Sequence, residues 1–151
     1  MKINHFLLVA ALLLSAKLSA FAIVNPGKVS AGTPYDQRMI HASEIATGRA
    51  HRHPTYRCWA YVKDALVASK IIDTRPTSEF AKEAALELSK TYGFKLLPEN
   101  NPYNAPIGSV LVYGGHGAGH VEIRTSIGFV SDFASIKPSP RPLIGIYVKP
   151  V

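Results

Sequence analysis

Apolar residues change their spacing partway along the chain, and the change separates a helical part from a strand part. From Cys58 they recur at intervals of three and four residues, and residues 78–92 form a second amphipathic stretch that ends before Gly93. Beyond Pro98 the chain holds short runs of β-branched and aromatic residues separated by Gly or Pro, at residues 107–113, 120–125, 129–133 and 143–148. Helices followed by an antiparallel meander predict an α+β fold.

The helix that begins near Cys58 has one apolar face, which carries Cys58, Tyr61, Val62, Ala65 and Leu66. Lys63 and Asp64 fall off this face, so we expect them to be solvated. Residues 23–54 are punctuated by Pro and Gly, which predicts a loop-rich arm with one short helix around residues 35–45. Residues 137–142 contain three prolines, which predicts a loop or a sheet edge.

The first 22 residues have the layout of an export signal. The basic start Met1-Lys2 precedes an apolar run from Phe6 to Leu14, and Ala20-Phe21-Ala22 supplies a small-x-small cleavage site. The run is too short for a stable transmembrane anchor. We therefore expect a signal peptide at residues 1–22, a single domain at residues 23–151 and a periplasmic or secreted location.

Charge and cysteine content exclude several classes of function. The 151-residue chain has a net charge of +7, which favours an anionic partner such as a cell envelope. Its basic residues are scattered without a Lys/Arg–aromatic stripe, so we expect no nucleic-acid binding. A single cysteine cannot form an internal disulfide or a cysteine-ligated zinc site. The glycine-rich loop at residues 114–119 lacks the Lys-Ser or Lys-Thr of a phosphate-binding loop, and we expect no cofactor.

Cys58 and His120 are the strongest candidates for chemistry. Cys58 lies at the predicted start of a helix, where unpaired backbone N–H groups and the positive end of the helix dipole stabilise a thiolate. Its place on the apolar face is also consistent with a small buried side chain. His120 opens a strand after a loop with four glycines, which permits the close approach that a substrate cleft requires. A strand-end histidine bonded to backbone is the alternative.

A carboxylate partner for His120 is predicted from strand pairing. If residues 125–127 form a three-residue hairpin loop with Gly128 in the left-handed position, His120 lies opposite Asp132 and Glu122 lies opposite Val130. Directly opposed side chains have Cβ atoms about 4.5–5.5 Å apart, so Asp132 would accept a hydrogen bond from the imidazole. A shift of one residue would move Asp132 to the other face of the sheet.

Cys58, His120 and Asp132 would then serve as a nucleophile, a base and an orienting acid. The Cys58 backbone N–H is placed to stabilise an oxyanion, and a second donor or a substrate contact has four candidates, namely Tyr56, His53, Gln37 and His116. Glu122 and Arg124 share the strand face of His120. They are interpreted either as groove lining or as a simple exposed pair.

Four motifs resemble those of CHAP-type (cysteine, histidine-dependent) amidohydrolases/peptidases, relatives of the papain-like NlpC-type cell-wall peptidases. Cys58-Trp59-Ala60-Tyr61-Val62 resembles the opening of their catalytic helix, and Pro-Ile-Gly-Ser-Val-Leu-Val at residues 106–112 resembles the strand before their histidine. Gly-His-Val-Glu-Ile at residues 119–123 is similar to their histidine strand, and Phe-Val-Ser-Asp at residues 129–132 to the strand of their third catalytic residue. Arg57 replaces their usual Gln, and Asp132 replaces their more common Glu.

The resemblance implies a papain-like α+β domain that cleaves amide bonds in peptidoglycan, either within stem peptides or between peptide and sugar. It also implies an acyl-enzyme on Cys58, with His120 as base and Asp132 as the orienting residue. An immunity or inhibitor protein as a partner is left open by the sequence.

Two other functions remain open. One is a non-catalytic exported binding or inhibitor module on the same fold. The other is a zinc hydrolase that uses His51-x-His53 and His116-x3-His120. Four imidazoles would leave no open coordination position, and the chain lacks the His-Glu-x-x-His helix of metalloproteases.

Overall fold

The computed structural model describes residues 34–151, in which α-helices precede the central strands of a six-stranded antiparallel sheet. The helices are α1 (Arg38–Arg49), α2 (Cys58–Ala68) and α3 (Ala84–Lys90), with 3-10 turns at Ala81–Glu83 and Pro102–Asn104. The strands are β1 (Lys95–Leu96), β2 (Val110–Tyr113), β3 (His120–Thr125), β4 (Gly128–Val130), β5 (Ala134–Ser135) and β6 (Leu143–Val148). Their spatial order is β1-β6-β2-β3-β4-β5. The predicted α+β class is confirmed.

The predicted signal peptide at residues 1–22 lies outside the described residues. Among residues 34–151, no helix combines the length and the apolar character needed to cross a membrane.

Several predicted elements are found at their predicted bounds, and others are shorter. α2 begins at Cys58, and β3 and β6 coincide with their apolar runs. The predicted helix at residues 78–92 begins only after Phe80, which has an extended backbone. The Glu83 carboxylate accepts a hydrogen bond from the Phe80 backbone N–H at 2.9 Å, which starts the first turn at that point. The short strands β1 and β5 were not predicted, because two residues are too few to show alternation.

The buried face of α2 is rotated from the predicted face. Its buried residues are Trp59, Val62, Lys63, Ala65 and Leu66, and Cys58 and Tyr61 are only half-buried. The expectation that Lys63 is solvated is wrong, because its side chain is buried along the Trp59 ring and its Nζ donates to the Ser78 carbonyl oxygen at 2.6 Å. Rotation of the helix leaves Cys58 half-buried at the margin of the core.

The β3–β4 hairpin differs from its predicted register by one residue. Ile123 pairs with Val130 and Thr125 pairs with Gly128, so the loop has two residues instead of three. The Thr125 side chain closes this tighter turn: its Oγ1 donates to the Gly128 carbonyl oxygen at 3.2 Å and accepts from the Ile127 N–H at 3.3 Å. These two hydrogen bonds of the Thr125 side chain stabilise the two-residue turn.

The shifted register overturns the predicted pairing of His120 with Asp132. β4 ends at Val130, and the Ser131 N–H then donates to the Phe133 carbonyl oxygen at 3.0 Å, which turns the chain at Asp132. Asp132 therefore does not continue a ladder opposite His120.

Gly119 allows the 3-10 turn before α3 to lie against the start of β3. Its φ is +78°, and a Cβ there would lie 2.5 Å from the Tyr113 carbonyl oxygen and 2.8 Å from the Lys82 Cβ. The Lys82 N–H donates to the Ala118 carbonyl oxygen at 2.9 Å across this contact. The glycine next to His120 is thus required by the packing of the protein on itself.

Gly119→Ala should lower the free energy of unfolding by about 2–4 kcal/mol, because the methyl group collides with backbone and also disfavours the positive φ. Urea denaturation measures this change. Gly117→Ala is the matched control, since its φ is +71° but no atom lies within 4 Å of its Cβ position. It should cost only about 1 kcal/mol. Equal losses in the two variants would contradict the tight contact at Gly119.

Candidate active site

Cys58 and His120 meet at one open cleft. Cys58 is the first residue of α2, and His120 is the first residue of β3 with a side chain only 15% exposed. The cleft has a volume of about 280 Å³, and its walls also include Pro54, Tyr56, Gly117, His116, Phe133 and Arg141. Two residues that are 62 positions apart in sequence are thus brought together by packing α2 against β3.

His120 lies between a thiol and a carboxylate. Its Nε2 is 3.2 Å from Glu122 Oε2, which leaves Nδ1 as the ring nitrogen available to Cys58. Burial opposes the charged imidazolium, but the hydrogen bonds and negative charges of Cys58 and Glu122 outweigh it and raise the pKa of His120 to about 9. The site therefore favours an imidazolium at neutral pH, in contrast to an ordinary histidine.

Glu122 holds His120 from a buried position. It is 3% exposed, and its Oε1 accepts hydrogen bonds from the Tyr113 hydroxyl at 2.7 Å and from the Ser139 backbone N–H at 3.2 Å. The loop between β5 and β6, which contains Ser139, shields this carboxylate from solvent. Of the two interpretations of Glu122, the exposed pair is wrong and a place beside the cleft is supported. The signal in the sequence was its spacing of two residues from His120 on one strand.

Asp132 lies at the cleft but binds a different partner from the one predicted. Its Oδ2 accepts hydrogen bonds from the Thr55 N–H at 2.6 Å, the Thr55 Oγ1 at 2.9 Å and the Arg57 N–H at 3.3 Å. Its Oδ1 accepts one from the Ser131 hydroxyl at 3.0 Å. Burial alone would raise the pKa of Asp132, but these hydrogen bonds outweigh it and hold the pKa below its usual value. Asp132 thus anchors the segment that leads into Cys58, and Glu122 is the carboxylate that contacts His120.

Tyr56 has an unusual backbone conformation two residues before the nucleophile candidate. Its φ is +63°, in the left-handed region that bulky residues rarely adopt, and its side chain is fully exposed at the cleft wall. Such a conformation costs about 1–3 kcal/mol and persists only where neighbouring contacts impose it. The three hydrogen bonds from residues 55 and 57 to Asp132 are contacts of this kind.

Of the four predicted substrate or oxyanion candidates, two line the cleft and two do not. Tyr56 and His116 line the cleft, and the His116 carbonyl oxygen accepts a hydrogen bond from Arg141 at 2.8 Å. His53 is exposed but does not line the cleft. Gln37 is the N-cap residue of α1 and does not line the cleft, and the guanidinium of its neighbour Arg38 donates to the Lys70 carbonyl oxygen beyond the C-terminal end of α2.

The histidines do not assemble the four-imidazole site that a zinc hydrolase of this chain would use. His51 Nε2 lies 2.6 Å from the Tyr61 hydroxyl, and His120 faces Glu122. Within residues 34–151, no group of three or more His, Cys, Asp or Glu side chains is arranged to hold a metal ion.

The arrangement supplies the parts of thiol-dependent acyl transfer. A cysteine at the start of a helix faces an imidazole that a buried carboxylate orients, which is the arrangement that activates a nucleophile. No side chain caps the N-terminus of α2, so the N–H groups of its first turn are available to a developing oxyanion.

Glu122→Gln should reduce stability in a pH-dependent way. A pKa raised from about 6.5 to about 9 stabilises the folded state fully below pH 6.5, and this contribution is lost as the pH rises through about 9. The loss of stability caused by Glu122→Gln should therefore be about 1–2 kcal/mol in mild acid and shrink towards alkaline pH. Urea denaturation at a series of pH values measures it.

Glu44→Gln is the matched control for this experiment, because Glu44 Oε2 lies 3.4 Å from His41 Nδ1 in an exposed pair. This variant should leave stability nearly unchanged throughout. A cost of Glu122→Gln that does not vary with pH would contradict the charged state of His120.

Comparison with known proteins finds similarity in structure. No protein-family model matches the chain, and no curated protein matches it. A chain of the type VI native effector–immunity complex Tae3–Tai3 from Ralstonia pickettii is similar with a TM-score of 0.62 and 24% identity, over 74% of this chain and 98% of that chain. A chain of the selenomethionine form of that complex has a TM-score of 0.52 and 26% identity, over 62% and 80% of the two chains. The chain described here therefore shares the fold of a chain from a type VI effector–immunity complex.

Proposed function

We propose that this chain is a cysteine-dependent hydrolase of amide bonds in peptidoglycan. The observation that carries the proposal is that Cys58 and His120 line one open cleft, with the Glu122 carboxylate 3.2 Å from the His120 Nε2. The motifs that resemble CHAP-type and NlpC-type enzymes surround the same cysteine and histidine. The predicted export signal and the net charge of +7 support a substrate in the anionic cell envelope.

Each residue of this line has a separate role in the proposal. Cys58 is the nucleophile, His120 is the general acid and base, and Glu122 orients the imidazole and stabilises its positive charge. Glu122 replaces Asp132 in the orienting role because Glu122 contacts the ring, whereas both oxygens of Asp132 are engaged by other groups.

The reaction follows from these positions in two stages. The Cys58 thiolate attacks the amide carbonyl carbon, and the first-turn N–H groups of α2 stabilise the oxyanion. The C–N bond breaks while the His120 imidazolium gives its proton to the leaving amine, which leaves a thioester on Cys58. A water molecule then attacks the thioester as the neutral imidazole takes its proton, the C–S bond breaks, and a carboxylic acid and the thiolate–imidazolium pair result.

The structural neighbours support an effector role and a protein partner for this activity. The Ralstonia pickettii complex pairs an effector with an immunity protein, and a chain of it has this fold. We therefore include in the proposal that the chain acts in the periplasm or outside the cell and that an immunity protein restrains it.

Peptidoglycan digestion tests the proposed activity. The mature protein should release new amine and carboxyl termini from purified peptidoglycan, detected by mass spectrometry of muropeptides, and the termini identify the bond. Cys58→Ala and His120→Ala should release none, and Glu122→Gln should lower kcat by on the order of 10²–10⁴-fold.

His41→Ala is the control, because His41 is an exposed histidine of α1 outside the cleft, and its activity should equal that of the wild type. Full activity of Cys58→Ala would overturn the cysteine mechanism. Binding to peptidoglycan without any cleavage, in the wild type as in Cys58→Ala, would favour the non-catalytic binding module instead.

A further inference from the structure

We propose that Asp132 is a positioning residue that holds residues 55–57 in a left-handed bend, which aims both the Tyr56 ring and the start of α2 at the scissile amide. This inference rests on the proposed function of the Cys58 site. It assigns to Asp132 a task that differs from orienting His120, and it assigns to Tyr56 a contact with the substrate.

The bend is fixed by a single carboxylate oxygen. Asp132 is 1% exposed, and its Oδ2 receives the Thr55 N–H at 2.6 Å, the Thr55 hydroxyl at 2.9 Å and the Arg57 N–H at 3.3 Å. The remaining oxygen receives the Ser131 hydroxyl at 3.0 Å. A buried carboxylate needs such partners to remain ionised, and three of these four hydrogen bonds come from Thr55 and Arg57.

The backbone of Tyr56 follows from this convergence. Two N–H groups that are two residues apart can point at one anion when the residues around them form a concave nest, in which a residue takes the left-handed conformation. Tyr56 has that conformation with φ of +63°, although it is neither Gly nor Asn. Asp132 therefore compensates for a backbone conformation that Tyr56 would not keep alone.

The bend sets the positions of two parts of the cleft, the Tyr56 ring and the start of α2. Tyr56 is 97% exposed and lines the same cleft as Cys58 and His120, so its ring offers a large flat surface beside the nucleophile. Arg57 is the N-cap residue of α2, and its carbonyl oxygen accepts the first helical hydrogen bond from the Tyr61 N–H at 3.1 Å. Fixing Arg57 thus fixes the direction of the Cys58 N–H, which the proposed reaction uses for the oxyanion.

Asp132 and Glu122 act on different groups, so experiments can distinguish the role of Asp132 from that of Glu122. Glu122 contacts the imidazole of His120, and Asp132 contacts backbone N–H groups before Cys58. Loss of the Asp132 charge should lower kcat by about tenfold or more, because small misplacements of reacting groups are costly in rate. The pKa of His120, followed by NMR, should stay near its wild-type value in Asp132→Asn and fall in Glu122→Gln.

A pair of substitutions at Tyr56 tests the backbone part of the inference. Both Tyr56→Gly and Tyr56→Ala remove the ring, but only glycine adopts positive φ without strain. Each should raise KM in the wild-type background, because the substrate contact is lost. In the Asp132→Asn background, the glycine variant should retain a kcat about fivefold higher than the alanine variant, because glycine keeps the bend without its anchor.

Ser131→Ala is the matched control at the carboxylate. It removes only the hydrogen bond to Oδ1 and leaves the three bonds to Oδ2, so kcat should stay close to that of the wild type. Hydrogen exchange of the Thr55 and Arg57 amides gives a readout without substrate. These amides should be protected in the wild type and in Ser131→Ala, and should exchange faster in Asp132→Asn.

The outcomes separate this inference from the proposed function. If the Thr55 and Arg57 amides are protected but the wild type does not cleave peptidoglycan, the proposed function is overturned and the anchoring of the bend by Asp132 is retained. If the wild type is active, either of two results would overturn the positioning role. One is an equal kcat for Tyr56→Gly and Tyr56→Ala in the Asp132→Asn background. The other is amide exchange at Thr55 and Arg57 that Asp132→Asn does not change. A drop in the His120 pKa caused by Asp132→Asn would show instead that Asp132 acts on the imidazole.

Discussion

The rest of the site depends on one interaction, in which Cys58 and Glu122 stabilise a positive charge on the largely buried His120. Removing an imidazolium from water is unfavourable, and a histidine with this burial and no partner would be neutral at neutral pH. Here Cys58 and Glu122 flank the ring, and their negative charges overcome the cost of burial. Tyr113 and Ser139 donate hydrogen bonds to the other oxygen of Glu122 and so hold this buried side chain beside the ring.

A second carboxylate organises the other side of the cleft by a different means. Asp132 binds backbone N–H groups and so sets the path of the chain into α2, whereas Glu122 sets the charge and orientation of a side chain. Both anions are buried and both are fixed by several donors, which is how a protein prepares groups in advance of a reaction. The left-handed backbone of Tyr56 is energetically unfavourable, and the hydrogen bonds to Asp132 offset this conformational cost beside the cleft.

Local patterns in the sequence were sufficient for the class of fold and for the two residues that meet in the cleft. The start of α2 at Cys58 and the bounds of β3 follow from helical and alternating periodicity, which are properties of neighbouring residues. The pairing of His120 with Asp132 was wrong because the β3–β4 hairpin has a two-residue loop instead of the predicted three, and a shift of one residue exchanges the faces of a strand. The burial of Glu122 depends on the loop that contains Ser139, and the bend at Tyr56 depends on Asp132, 76 residues away.

Direct titration of His120 by NMR tests the central claim of a charged imidazole between a thiol and a carboxylate. We expect a pKa of about 9 for His120 in the intact protein. A midpoint at or below about 6.5, the value of a free imidazole side chain, would show that burial outweighs the neighbours of His120 and would contradict a charged imidazole at neutral pH.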